Sequence, residues 1–243
     1  MNATFWRMAA MTAAILSGPS GAFAQSAPAQ PGPNVPTTRQ AAPQPAPQAT
    51  PQTGQQSAPG TEEFRLNGFR SANFGMTVEQ VRAAIRRDFN VPADRIETVE
   101  NSVERTTVLT VTVPDLLPNT GPALVAYVVG YRTRQLVQVT ITWGGQVNPQ
   151  LRPEQALGAA RQLQGYFAGL GHRPDSVATN IQQRDGSILV YAGDDAQRRR
   201  TLLVLSNVVG PEGRAPEGAP VLQLSYIRDP QTPDVFQIRR GDF

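Results

Sequence analysis

The 243-residue chain has no cysteine, no lysine and a single histidine, His172. Without cysteine there is no thiol nucleophile, no disulfide and no thiolate-bound zinc or iron–sulfur centre. Without lysine there is no Schiff-base chemistry and no lysine general base. One histidine rules out a multi-histidine metal centre within the chain, and a Ser-His-Asp triad would have to run through His172. What remains open to catalysis is mainly carboxylate chemistry, as in glycoside hydrolysis, which has no local motif. The composition predicts no catalytic residue, no metal ligand and no cofactor.

Net charge is also small. All 19 acidic residues follow position 60, and 20 of the 22 arginines lie there too, so Thr61–Phe243 carries 20 − 19 = +1. A nucleic-acid binder would concentrate basic residues with interleaved aromatics, and no such footprint is present. Arg198-Arg199-Arg200 directly follows the Asp194-Asp195 region and reads as a charged hairpin tip, with an anion site as the alternative. Gly193-Asp194-Asp195 lacks the alternating oxygens of a calcium loop and reads as a turn.

What is present begins with an address. Arg7, the apolar stretch Met8–Leu16 and Ala22-Phe23-Ala24 have the order of a secretory leader, here residues 1–24. The apolar stretch falls short of the roughly 20 residues that span a bilayer, and no later segment comes close. The expectation is an exported, soluble protein, periplasmic or extracellular, not lipidated and without a membrane span. Residues 25–60 follow as a linker, and from Ser26 to Gly60 they include nine Pro, seven Gln and one charge, Arg39. Such a segment cannot bury enough apolar surface to offset its ordering entropy, which predicts a disordered spacer with polyproline II character. A ligand for a polyproline-binding partner is the alternative.

Residues 61–243 suffice for one domain. Thr77 with Gln80 forms a capping box, and Val81, Ile85 and Phe89 recur on one face, so a helix should run to Phe89-Asn90 ahead of Pro92. Strands are predicted over Val103–Val113, Ala123–Tyr131 and Leu136–Trp143, the last two as a hairpin. Pro153 opens a second helix through Ala156, Leu157, Ala160, Leu163 and Phe167, ending at Gly169–Gly171. Strands return at Ser187–Tyr191, Thr201–Val208, Val221–Ile227 and Val235–Ile238, with Gly210–Pro220 a mobile loop. Glu79-Gln80 and Glu154-Gln155 share an offset of 75, an echo between candidate sub-repeats 74–145 and 151–238. The fold class expected is α+β, a two-layer sandwich of an antiparallel sheet with two helices on one face and a tandem α-β-β-β repeat.

Gly75-Met76-Thr77 followed by Val81 resembles the helix start of the small lipoprotein subunit of the outer-membrane β-barrel assembly machine. The helix-then-strands tandem is similar to β-lactamase inhibitor protein. The chain departs from the first in lacking the lipid-bearing cysteine and from the second in lacking its disulfides. The resemblance implies an envelope or secreted protein that binds another protein through its sheet face, and it assigns no residue.

Two candidate sites remain. His172, just past a helix C-terminus, is a base or ligand without a visible helper, and otherwise a residue favoured there by the helix dipole. Trp143, Tyr131 and Tyr127 could form an aromatic contact patch, but Trp143 is in phase with Val137, Val139 and Ile141, which argues for core. The binding residues are unassigned. The function expected is a non-enzymatic binding or envelope-assembly accessory module with a protein partner. The alternative is a carboxylate-dependent hydrolase of an envelope polymer.

Overall fold

In the structure, a computed structural model, residues 64–208 and 218–237 are described. The leader, the linker and most of the Gly210–Pro220 loop lie outside the described residues. Helix α1 (Val78–Phe89) begins as its capping box requires. Thr77 is extended, its hydroxyl accepts from the Gln80 amide, and Gln80 Oε1 accepts from the Thr77 amide at 2.9 Å. Asn90 ends the helix in the left-handed conformation, φ 50°, ahead of Pro92. Helix α2 (Pro153–Ala168) repeats half of this device, with Gln155 Oε1 accepting the Arg152 amide at 3.0 Å. Glu79-Gln80 and Glu154-Gln155 therefore do the same job at two helix starts.

A short hairpin, β1 (Gly68–Phe69) and β2 (Ala72–Asn73), precedes α1. Four strands follow that helix: β3 (Glu97–Glu100), β4 (Thr107–Val113), β5 (Ala123–Val129) and β6 (Leu136–Gly144). Four more follow α2: β7 (Ala178–Gln182), β8 (Ile188–Asp194), β9 (Arg200–Ser206) and β10 (Val221–Ile227). All pair antiparallel in the order β3-β4-β5-β6-β10-β9-β8-β7. The order reads the same from either edge, so an approximate two-fold axis runs perpendicular to the sheet between β6 and β10. Each half is a helix, a 3₁₀ turn (Ala93–Arg95 or Pro174–Ser176) and four strands. The two-layer α+β architecture is the expected one, with two unexpected strands at the sheet's outer edges. β3 makes the first half one strand longer than expected, and β7 brings the second half to four strands without the expected terminal one. The expected terminal strand is not formed over 235–237, where the chain follows Pro230 and Pro233 as an irregular strap.

Both helices lie on one face of the sheet. Val81, Ala84 and Ile85 of α1 and Ala156, Ala160 and Phe167 of α2 are buried against Leu109, Tyr127, Ile141, Trp143, Leu203 and Leu224. Burying each of the larger aliphatic side chains contributes about 1.5–3 kcal/mol. Phe69 of the β1–β2 hairpin stacks on Tyr226, with ring centroids 6.0 Å apart, and lies 6.5 Å from Phe89 of α1. The opposite face of the sheet carries no described helix.

Candidate functional site

Strand alternation sets what this second face presents. Where Val139, Ile141, Leu222 and Leu224 point to the helices, Gln138, Thr140, Gln223 and Ser225 point away. Thr140 stands directly opposite Ser225 in the β6–β10 register, at the two-fold axis, and their hydroxyls are 3.2 Å apart. Gln138 Nε2 donates to Thr140 Oγ1 at 2.9 Å and Gln223 Nε2 to Ser225 Oγ at 3.5 Å. Gln138-Val139-Thr140 and Gln223-Leu224-Ser225 are thus one motif twice, meeting as a polar seam. On either side the face turns aliphatic, with Leu124, Ala126 and Val128 of β5 and Leu202 and Val204 of β9, all half-buried.

At one end of this face the C-terminal strap, residues 228–237, closes a cavity of about 240 Å³. Asp234 anchors the strap. Its Oδ1 accepts the Arg132 amide at 2.9 Å, and its Oδ2 accepts the Thr133 amide at 2.9 Å and the Thr133 hydroxyl at 2.6 Å. Gly130 makes this possible, because a Cβ there would stand 2.2 Å from Asp234 Oδ2. Burial alone would raise the Asp234 pKa, but the hydrogen bonds from Thr133 and Arg132 outweigh it and hold the carboxyl below its usual range. Asp229, capping Gln231 and Thr232, is lowered in the same way. Further along, the Phe236 amide donates to Glu104 O at 2.8 Å, and the Phe236 ring lies under the Arg105 guanidinium, 3.8 Å from its centroid.

His172 belongs to the core. It is 7% exposed, its Nδ1 lies 3.0 Å from Tyr191 Oη and 3.3 Å from Phe167 O, and its Nε2 lies 3.1 Å from Thr201 Oγ1. Phe64 packs on the ring at 4.5 Å, and Gly193 leaves space beneath it, since a Cβ there would meet His172 Cγ at 2.9 Å. Burial lowers its pKa, against the opposing pull of the Phe167 carbonyl and the Asp195 and Asp194 charges. Packing and hydrogen bonding, more than a helix dipole, explain the residue.

The aromatic candidates part company. Trp143 and Tyr127 are buried in the core, while Tyr131 is half-buried beside Phe236, edge-on at 5.6 Å. Tyr127 Oη and Trp143 Nε1 have no hydrogen-bonding partner among the described residues. Tyr127→Phe should therefore be neutral or stabilising by up to about 1 kcal/mol, whereas Tyr191→Phe, losing the contacts to Phe167 O and His172 Nδ1, should cost about 1 kcal/mol or more. Urea unfolding of the two variants checks this, and a clear loss for Tyr127→Phe would show that its hydroxyl is bonded.

Arg199, Arg200, Asp194 and Asp195 of the charged tip are satisfied within the fold. Arg200 forks onto Asp194 at 2.7 and 2.9 Å, and Arg199 reaches Leu66 O and Asn67 Oδ1 at 2.9 and 2.8 Å. Asp195, fully buried, accepts the amides of Leu66, Gln197 and Arg199, each at 2.8 Å. The cation reading keeps no free carboxylate, and the anion reading keeps only the exposed Arg198. No cluster of three or more His, Asp or Glu suited to a metal occurs among the described residues, and no described helix is long and apolar enough to cross a membrane. Comparison with protein-family models, curated proteins and solved structures finds no match.

Proposed function

We propose that this chain is an exported, non-enzymatic binding or envelope-assembly accessory module that engages a protein partner through the helix-free face of its sheet. The observation that carries this reading is the one-sidedness of the sandwich: both helices cover one face, and the other offers aliphatic flanks around a polar seam. Aliphatic area with a few fixed polar groups suits a protein partner. The resemblance to β-lactamase inhibitor protein in element order agrees with it. A photoreactive residue placed at Ala126 or Val204 should cross-link a defined partner in the envelope, and one at Arg86 or Arg161 on the helices should not. Cross-linking from the helices alone, or none from the sheet face, would remove the reading.

One observation favours hydrolysis as a second reading: Glu104, raised by burial, lines the same cavity as the lowered Asp229 and Asp234. Against it, the Asp229 and Asp234 oxygens are already committed to capping the turns that hold the strap. Purified protein that degrades an envelope polymer, and a Glu104→Gln variant that does not, would reverse this ranking.

A further inference from the structure

We infer that the cavity under the C-terminal strap receives a cationic side chain, a primary ammonium or guanidinium on an aliphatic stem, from the protein partner. The inference takes the carrier of that side chain from the partner-binding reading, while the chemistry of the cavity stands by itself. At about 240 Å³ the cavity is smaller than the roughly 300–1,000 Å³ of small-molecule pockets, and its size suits one side chain.

Its walls divide into two kinds. Val108, Val128 and Ile227 give an apolar lining of the sort a methylene stem covers. The charged groups are Glu104, Asp229 and Asp234 against Arg228 alone, and the Arg228 guanidinium is turned to Gln135 Oε1 at 3.4 Å. Arg228 acts on Asp229 and Arg132, from outside the lining, on Asp234. This leaves Glu104 as the carboxyl with no arginine acting on it, and the balance disfavours an anion and favours a cation. Thr106 supplies an independent sign. It lines the cavity and is fully buried, yet its hydroxyl has no hydrogen-bonding partner among the described residues. A buried polar group left without a partner costs about 1–3 kcal/mol, and an N–H donor delivered by a ligand would remove that cost.

Glu104 completes the arrangement. It is half-buried, receives only a long bond from Asn101 Nδ2 at 3.3 Å, and carries the burial penalty with no cation in contact. An arriving ammonium or guanidinium would pair with it. The chain itself contains no lysine, so an ammonium occupant would come from another protein.

The test uses the intact protein and three probes with similar stems: the N-acetyl methylamides of lysine, arginine and norleucine. Methyl NMR shifts of Val108, Val128 and Ile227 report binding. Saturable shifts are expected with lysine or arginine, the comparison between them identifying the head group, and at least about tenfold weaker binding with norleucine. Glu104→Gln should weaken the cationic probes by about tenfold or more, and Glu97→Gln on the exposed edge should not. Thr106→Val, nearly isosteric, should also weaken binding and serves if Glu104→Gln proves unstable. Absence of binding by either cation, equal binding of norleucine, or binding indifferent to both cavity substitutions would overturn the inference. Cross-links from Ala126 or Val204 in a protein that binds neither cation would leave the face reading standing without the cavity, and the reverse result would do the opposite.

Discussion

Asp195→Ala should lower the unfolding free energy by about 3 kcal/mol, because it deprives three amides at a packed chain crossing of their acceptor. The carboxylate is fully buried and takes Leu66 from 129 residues away, together with Gln197 and Arg199 from its own turn. Removing it frees the 64–67 segment on one side and the β8–β9 tip on the other. Asp195→Asn keeps one oxygen but turns an NH₂ toward at least one of those donors, so it should fall between wild type and alanine. Urea denaturation at neutral pH measures all three, and hydrogen exchange at the Leu66 amide should accelerate in both variants. Stability within about 0.5 kcal/mol of wild type, the range of ordinary surface substitutions, would show that the crossing holds without the carboxylate.

The same residue shows where sequence reasoning reached and where it stopped. Asp194-Asp195 and Arg198–Arg200 were legible as a charged turn, since charges close in sequence on a hairpin meet across it. That Asp195 would turn inward to hold Leu66 was not, for nothing local marks a partner 129 residues away. The two helices, their Gln-bearing starts and the β5–β6 hairpin were legible because capping and alternation are local. The edge strands β3 and β7 were not. Glu97–Glu100 sets glutamates at both ends of four residues, and Ala178–Gln182 contains Asn180 at φ 54°, which breaks its ladder with β8. Both edges are short or broken and carry polar residues, features that discourage edge-to-edge pairing and also blunt the strand signal.

The internal repeat was half visible for a related reason. Equivalent starts are 75 residues apart at the helices (Val78 and Pro153), 81 at the outer strands (Glu97 and Ala178) and 85 at the central ones (Leu136 and Val221). A search at constant offset finds the helix starts and misses Gln138-Val139-Thr140 with Gln223-Leu224-Ser225, the pair that meets at the axis. The cavity was less legible still, since Asp234 and Gly130 become neighbours only once the strap has crossed the sheet end. A buried glycine facing a carboxylate has no signature in one sequence.

The seam between the halves is where one methyl group should do the most harm. Among the described strands, β6 and β10 form the only pair joining the two halves, and Gly144 ends β6 opposite Val221. Its φ is +78°, and a Cβ there would lie 1.9 Å from Pro220 O and 2.9 Å from Leu151 Cδ2. Pro220 O cannot simply withdraw, because it accepts the Gly145 amide at 3.1 Å. Gly144→Ala thus combines left-handed strain of about 1–2 kcal/mol with a backbone clash of about 1–3 kcal/mol, and should destabilise by about 3 kcal/mol or more. Gly75→Ala isolates the strain. Gly75 also has positive φ, +92°, but its nearest neighbour to a new Cβ is Gln135 Oε1 at 3.9 Å, so about 1–2 kcal/mol is expected. Equal losses for the two variants would mean that the β6–β10 seam yields to the added methyl group. A clearly larger loss at Gly144 would establish that the halves are held by a backbone contact with no room to spare.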